Sequence, residues 1–255
     1  LIQDDKGTFH LTWFRWQALF RGHIWYNSSP DGITWDQTNE RQVTTGDDVD
    51  DWVPTITEMP DGTLLVFFVS AKRDRANPTN DIYLATRSPN EVTWKPAVRL
   101  SGISSAALHD HLPFATRNGD KITLIWDRYD TTEAIPWLNR KSDLFYSTSG
   151  DGLTWSAPVQ ITDETGDVVN LFPAIYFNHG GEAFVTWLST RSGQPRLFDL
   201  PLAGDGQSGI KKNKRLKMGY SHRIAATSTP GIYIGVWVEG PEGAQDIYYR
   251  FFKKK

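Results

Sequence analysis

Apolar runs of five to seven residues, closed by Trp or Phe and separated by polar turns, recur along the chain at intervals of roughly fifty to sixty residues. The clearest are Gly7-Thr8-Phe9-His10-Leu11-Thr12-Trp13, Gly62-Thr63-Leu64-Leu65-Val66-Phe67-Phe68, Lys121-Ile122-Thr123-Leu124-Ile125-Trp126, Glu182-Ala183-Phe184-Val185-Thr186-Trp187 and Gly231-Ile232-Tyr233-Ile234-Gly235-Val236-Trp237. A shorter strand-like run precedes four of them, at Pro54-Thr55-Ile56, Pro113-Phe114-Ala115, Pro173-Ala174-Ile175 and Arg223-Ile224-Ala225, with Leu1-Ile2 as the remnant of a fifth. Another follows, as in Ile24-Trp25-Tyr26, Ile82-Tyr83-Leu84, Leu144-Phe145-Tyr146 and Ile247-Tyr248-Tyr249. No window sustains a 3.6-residue apolar period, so long helices are not expected. Each unit reads as three or four antiparallel strands, and five such units in 255 residues are each the size of a propeller blade. The pattern predicts an all-β, five-bladed β-propeller in a single domain, 1–255, with blades near 1–46, 47–102, 103–167, 168–215 and 216–255. A two-sheet sandwich has no reason to repeat one Trp-ended strand five times.

The turn after the third strand of a unit carries a second repeat. Ser29-Pro30-Asp31-Gly32-Ile33-Thr34-Trp35 and Ser149-Gly150-Asp151-Gly152-Leu153-Thr154-Trp155 are near copies, and Ser88-Pro89-Asn90-Glu91-Val92-Thr93-Trp94 is a decayed one. Their Trp residues lie 59 and 61 residues apart, in step with the strand repeat. Asp can accept hydrogen bonds from turn amides, Gly takes a positive φ, and Trp supplies a large apolar surface to bury between neighbouring blades. The motif resembles the Asp box, S-x-D-G-x-T-W, of the sialidase-like β-propeller superfamily. The resemblance implies a carbohydrate-active propeller on which the box is structural and lies opposite the functional face. Sialidases, other glycosidases, polysaccharide lyases and lectins share that scaffold, so the fold does not choose among them.

Composition adds exclusions. There are 27 Lys+Arg against 30 Asp+Glu, a formal charge of -3, too balanced for a dedicated nucleic-acid binder. No apolar stretch reaches the length of a membrane span, and the absence of Cys removes disulfides, thiolate metal sites and a Cys nucleophile. The expectation is a secreted or periplasmic monomer whose partner is a carbohydrate, with no cofactor and no metal. The basic stretch Lys211 to Lys217 and the terminal Lys253-Lys254-Lys255 read as a solvated loop and tail.

In an up-and-down blade, the turn that carries the box shares a face with the turn between the first two strands. The functional face then collects the other loops. These supply Asp47-Asp48-Val49-Asp50-Asp51-Trp52, His109-Asp110-His111, Tyr220-Ser221-His222-Arg223, Arg15-Trp16, Lys72-Arg73-Asp74-Arg75, Asp127-Arg128 with Glu133 and Trp137, Arg191 and Glu239. Aromatic side chains stack on sugars, and Arg forks hold carboxylate or sulfate groups. The candidate catalytic residues are Asp50, Asp51, His109, Asp110, His111 and Tyr220. The candidate substrate-binding residues are Arg15, Trp52, Arg73, Asp127, Arg128, Arg191, His222, Arg223 and Glu239. The recurring arginines Arg15, Arg73, Arg128 and Arg191 carry a second reading, a shared salt-bridge role.

Three functions fit this set. The first is a sialidase-like glycoside hydrolase on an anionic glycan, drawing two carboxylates from Asp50, Asp51, Asp110, Asp127 and Glu239. The second is a polysaccharide lyase in which His111 or Tyr220 abstracts the C5 proton of a uronate, with Arg128 or Arg191 on its carboxylate. The third is a lectin using Trp16, Trp52 and Trp137. True sialidases have an Arg-Ile-Pro strand in the first blade. Here the corresponding strands read Val53-Pro54, Leu112-Pro113 and Phe172-Pro173, and Arg223-Ile224-Ala225 in the last unit is the partial match. The sialidase resemblance would make Tyr220 the nucleophile and Asp51 the acid/base.

Overall fold

Runs rich in β-branched and aromatic residues, broken by Gly, Pro and Asp turns, fold as strands throughout the computed structural model. It describes residues 1–18, 21–46, 49–71, 73, 79–105, 107–130, 140–163, 165–193, 195–202, 220–239 and 245–253. Asp47, Asp48, Lys72, Asp74, Arg75, Glu133, Trp137, the Lys211–Lys217 stretch, Lys254 and Lys255 lie outside the described residues. The helical content of the described residues is one 3-10 turn, Gln37–Asn39.

Five antiparallel sheets follow one another along the chain. The first is β1 (Ile2–Gln3), β2 (Phe9–Ala18), β3 (Arg21–Ser29) and β4 (Arg41–Gln42). The second is β5 (Asp51–Glu58), β6 (Leu64–Ser70), β7 (Asp81–Arg87) and β8 (Val98–Arg99), and the third is β9 (His109–Asn118), β10 (Lys121–Tyr129), β11 (Ser142–Ser149) and β12 (Val159–Gln160). Three-stranded sheets complete the series: β13 (Asn170–Phe177), β14 (Ala183–Ser189) and β15 (Arg196–Pro201), then β16 (Tyr220–Ala226), β17 (Ile232–Glu239) and β18 (Asp246–Lys253). Within each sheet the strands lie in chain order, the meander of a propeller blade, and the fold is a five-bladed β-propeller. Leu1-Ile2 does contribute a strand: β1 pairs with β2, Ile2 opposite His10.

The residues form two compact units, 1–128 with 146–158, and 129–145 with 159–255. In the first, β6 is buried along its whole length, which explains why Leu64 to Val69 is continuously apolar rather than alternating. Ile24 and Tyr26 of β3 pack with Ile56, Val66, Phe68 and Tyr83 of the second blade, joining two sheets through one core. Each fully buried aliphatic or Phe side chain there contributes about 1.5–3 kcal/mol. In the second unit the corresponding cluster is Tyr176, Leu197, Ile224 and Tyr233.

The Ser-x-Asp-Gly turns are closed by their own side chains. Asp31 Oδ1 accepts from the backbone amides of Ile33 at 2.8 Å and Thr34 at 2.7 Å, while Ser29 Oγ donates to the same oxygen at 2.9 Å. Asp151 repeats this with Leu153, Thr154 and Ser149. The amides of Thr34 and Thr154 lead the donors that hold both carboxyls well below the usual carboxylate range. Gly152 has φ +73°, and a Cβ there would lie 2.9 Å from Leu65 Cδ1, so glycine is required twice over. Two of the Trp residues that end these turns pack on the preceding blade: Trp94 edge-on to Tyr26 at 5.4 Å, Trp155 edge-on to Phe67 at 5.6 Å. The hydrogen bonds of Asp31 and Asp151 given above are internal to their turns.

A second recurring device shapes the opposite strand ends. Val53, Leu112 and Phe172, each preceding a Pro, have φ of 48°, 45° and 55°. Proline disfavours the right-handed helical region for the residue before it, and a bulge takes up the remainder. The register slips between Trp52 and Thr55 in β5 and between Leu171 and Ala174 in β13. Left-handed backbone at a β-branched residue such as Val53 costs about 1–3 kcal/mol, and the packed sheet holds it. The bulge sets the direction of the residues immediately before it, which include Asp51-Trp52 and Asp110-His111.

Candidate functional site

Carboxylates on either side of these bulges meet two different fates. Asp51, fully buried at the start of β5, is gripped by Arg73, whose Nε donates to Oδ1 at 2.8 Å and whose Nη2 donates to Oδ2 at 2.5 Å. Asp110, also fully buried, receives Arg128 Nε at 2.6 Å and Nη2 at 3.1 Å, and Trp126 Nε1 donates to the same Oδ1 at 2.7 Å. Burial pushes the Asp110 carboxyl up, with Arg128 pulling against it. Asn170 takes the corresponding place in the second unit, its Oδ1 accepting from Trp187 Nε1 at 3.0 Å. A polar residue before the bulge thus ties the first strand of each of these blades to the next one.

The recurring arginines divide accordingly. Arg73 and Arg128 serve carboxylates of their own blades, the shared salt-bridge role that their spacing allowed. Arg15 donates to Glu40 at 2.7 Å and lies 4.4 Å from the Trp25 ring centroid. Arg191 Nε donates to Ser189 Oγ at 3.3 Å, with its guanidinium 4.8 Å from Phe198 and 5.2 Å from Trp187.

Asp127 is different. It is 0% exposed, and neither carboxylate oxygen has a hydrogen-bond partner. Facing it is His111, 2% exposed, with Nδ1 3.7 Å from Asp127 Oδ2. The half-buried Trp52 indole covers the imidazole, edge-on at 4.7 Å between ring centroids. The strand positions make this pair informative. In the second blade the corresponding residues are Trp52 opposite Val69, and in the fourth Leu171 opposite Leu188. In the third blade alone of these three, the apolar cross-strand pair is replaced by an imidazole and a carboxylate. Burying such a pair costs several kcal/mol per charge unless it is well hydrogen-bonded, and buried titratable pairs of this kind gather at functional sites.

Around it in the first unit, Asp50 is buried, its carbonyl accepting from the Ala71 amide at 3.3 Å and its carboxylate lying beside Gly22. His109 Nδ1 accepts from the Asn80 amide at 3.0 Å, a backbone contact that turns its ring away from a proton-transfer role at that nitrogen. A groove of about 360 Å³ on the flank of this unit is lined by Arg41 to Thr45, Arg73 and Val92 to Ala97, and includes neither His111 nor Asp127. Among the described residues no group of three or more His, Asp or Glu has metal-holding geometry.

In the second unit, Tyr220 opens β16 opposite Val238, and its side chain lies outside the described residues. Glu239 accepts from Trp237 Nε1 at 3.0 Å, and Arg223 donates to the His222 carbonyl at 2.7 Å. His222 is fully enclosed, Nε2 3.1 Å from Thr186 Oγ1, and burial drives its imidazole down to about 3 from 6.5. The unfolded chain therefore binds a proton near 6.5 that the folded chain refuses. Stability from this residue is complete above that pH and falls by about 1.4 kcal/mol for each unit below it, until pH nears the folded value. Between pH 7 and pH 5 the parent is expected to lose about 2 kcal/mol more than His222→Gln. Urea midpoints at both pH values check this, and parallel losses would refute it.

What the sequence concealed was pairing. His111 and Asp127 are both recognisable as polar residues near strand ends, but their partnership emerges when the third blade is aligned on Trp52/Val69 and Leu171/Leu188 across the bulge.

No known protein family and no curated protein matches the sequence. Solved structures do resemble the fold. A polysaccharide lyase, an ulvan lyase bound to -[GlcA(1-4)Rha3S]-, aligns over 100% of this chain and 68% of its own, with a TM-score of 0.60 and 12% identity. A mutant α-L-arabinofuranosidase from Fusarium graminearum, in complex with an iminosugar inhibitor, aligns over 97% and 72%, with a TM-score of 0.69 and 15% identity. A Hadza microbial sialidase aligns over 93% and 55%, with a TM-score of 0.58 and 12% identity. At these identities the likeness is one of fold: this chain has the propeller fold seen in the sialidase and in the other two.

Proposed function

We propose that the protein is a carbohydrate-active enzyme that cleaves a uronic-acid polysaccharide by β-elimination, with His111 as the general base and Asp127 as the carboxylate that positions it. The observation that carries this reading is the buried His111–Asp127 pair in strand positions that are apolar in the second and fourth blades. The similarity in fold to a polysaccharide lyase, a glycosidase and a sialidase supports a glycan as substrate.

The chemistry follows from the geometry. Asp127 faces Nδ1, so a proton held there is oriented toward the carboxylate and the Nε2 lone pair is left as the base. The 3.7 Å separation would shorten on substrate binding, as such contacts commonly do. Nε2 takes the C5 proton of the uronate, the C5–H electrons form the C4–C5 double bond, the C4–O4 bond breaks, and the departing oxygen takes up a proton. Trp52 stands over the imidazole, so its indole must swing aside or become the surface on which the sugar lies.

Hydrolysis is the second reading. It needs two carboxylates flanking the scissile bond, and in the first unit Arg73 and Arg128 occupy both oxygens of Asp51 and of Asp110. Incubation of the purified protein with uronic-acid polysaccharides, sialosides and neutral glycosides separates the two. New reducing ends together with the ultraviolet absorbance of unsaturated uronates are expected; reducing ends without that absorbance would replace elimination by hydrolysis.

A further inference from the structure

We infer that Phe14 and Trp16, on the first blade, form a sugar-stacking subsite that holds the same glycan by the apolar face of a pyranose ring; this rests on the glycan reading above. Most large apolar residues of the first unit's strands are buried, yet Phe14 is 39% and Trp16 51% exposed. They stand on one face of β2, edge to face with ring centroids 5.7 Å apart. Two exposed aromatics held this way are a rigid, amphipathic surface, the kind that ligand sites use to bind at little cost in side-chain entropy.

The surroundings keep that surface bare. Trp16 lies opposite Gly22 on β3, so no cross-strand side chain covers the indole. Glycine is enforced there by the neighbouring blade, because a Cβ on Gly22 would come within 2.6 Å of the Asp51 carbonyl oxygen. The same approach fixes where the subsite is: the strand behind Gly22 is β5, which begins Asp51-Trp52 and places Trp52 on His111. The hairpin is also long. Aligned on Trp13 and Phe68, β6 ends at the position of Arg15, whereas β2 continues to Ala18 and carries Trp16 beyond the end of its neighbour. A chain of sugars held at Trp16 would run along the strand ends of the first unit toward His111.

The test is affinity electrophoresis through gels cast with polygalacturonate or alginate, using the parent, the Phe14→Ala/Trp16→Ala double variant and Trp16→Phe, with melting temperature measured alongside. The double variant is expected to melt like the parent and to bind about tenfold more weakly, while Trp16→Phe retains most of the affinity. On any substrate turned over, KM rises with kcat little changed. A double variant that folds like the parent and is retained equally would overturn the subsite and leave the glycan reading standing. A parent that no polysaccharide retains and that turns none over would overturn both.

Discussion

Replacing Asp110 by Ala is expected to destabilise the protein by about 3–5 kcal/mol, the cost of breaking a buried ion pair from one side. The carboxylate is fully buried, and four donors converge on it: two from Arg128, one from Trp126 and the Ser105 amide at 3.3 Å. Its removal takes away the carboxylate that Arg128 and Trp126 both donate to, while Arg128 keeps its bond to the Ile103 carbonyl at 2.6 Å. Asp110→Asn should cost less, since an amide oxygen can still accept from Trp126, as Asn170 does from Trp187. Urea unfolding of the three proteins measures the order. A loss under about 1 kcal/mol for the Ala variant would mean that the network is not holding the blade.

The opposite outcome is expected at the other buried carboxylate of this blade. A His111→Leu/Asp127→Leu double variant, which installs the Leu171/Leu188 pair of the fourth blade, should be as stable as the parent or more stable. Exchanging a buried ionisable pair for apolar residues is often neutral or stabilising by about 1–4 kcal/mol. Asp127 has no hydrogen bond to lose, and the Trp52 indole already offers an apolar surface to whatever replaces the imidazole. Turnover should nevertheless fall by about 10²–10⁴-fold, the usual contribution of a positioned general base. Stability retained and activity lost is the signature of a pair kept for chemistry.

The contrast between these two carboxylates also marks how far the sequence could be read. Five repeats of a Trp-ended strand and the in-step Ser-x-Asp-Gly turns were enough for the class of fold and the number of blades, because both signals are local and periodic. The arginine pairings were half legible. Arg73 and Arg128 both stand near the end of the second strand of their blade, which suggested a salt-bridge role, but the partners Asp51 and Asp110 lie 22 and 18 residues away across a hairpin. Which side chains face each other there depends on the bulge, and a one-residue slip in a strand moves every side chain to the other face. The bulge itself was hidden, since the sequences Val53-Pro54, Leu112-Pro113 and Phe172-Pro173 advertise extended backbone and give no sign that the residue before Pro turns left-handed. Trp16 was visible as an exposed candidate, but its bare face depends on the approach of Asp51 to Gly22, a contact between blades that no local pattern encodes.

The His111–Asp127 pair is the centre of the proposed chemistry, and its most direct test is turnover of a uronic-acid polysaccharide by the His111→Leu/Asp127→Leu variant beside the parent, followed by unsaturated-uronate absorbance. The parent is expected to produce the absorbance, and the variant, folded by its urea midpoint, to have lost it. Equal rates from the two proteins would contradict the assignment of the chemistry to this pair.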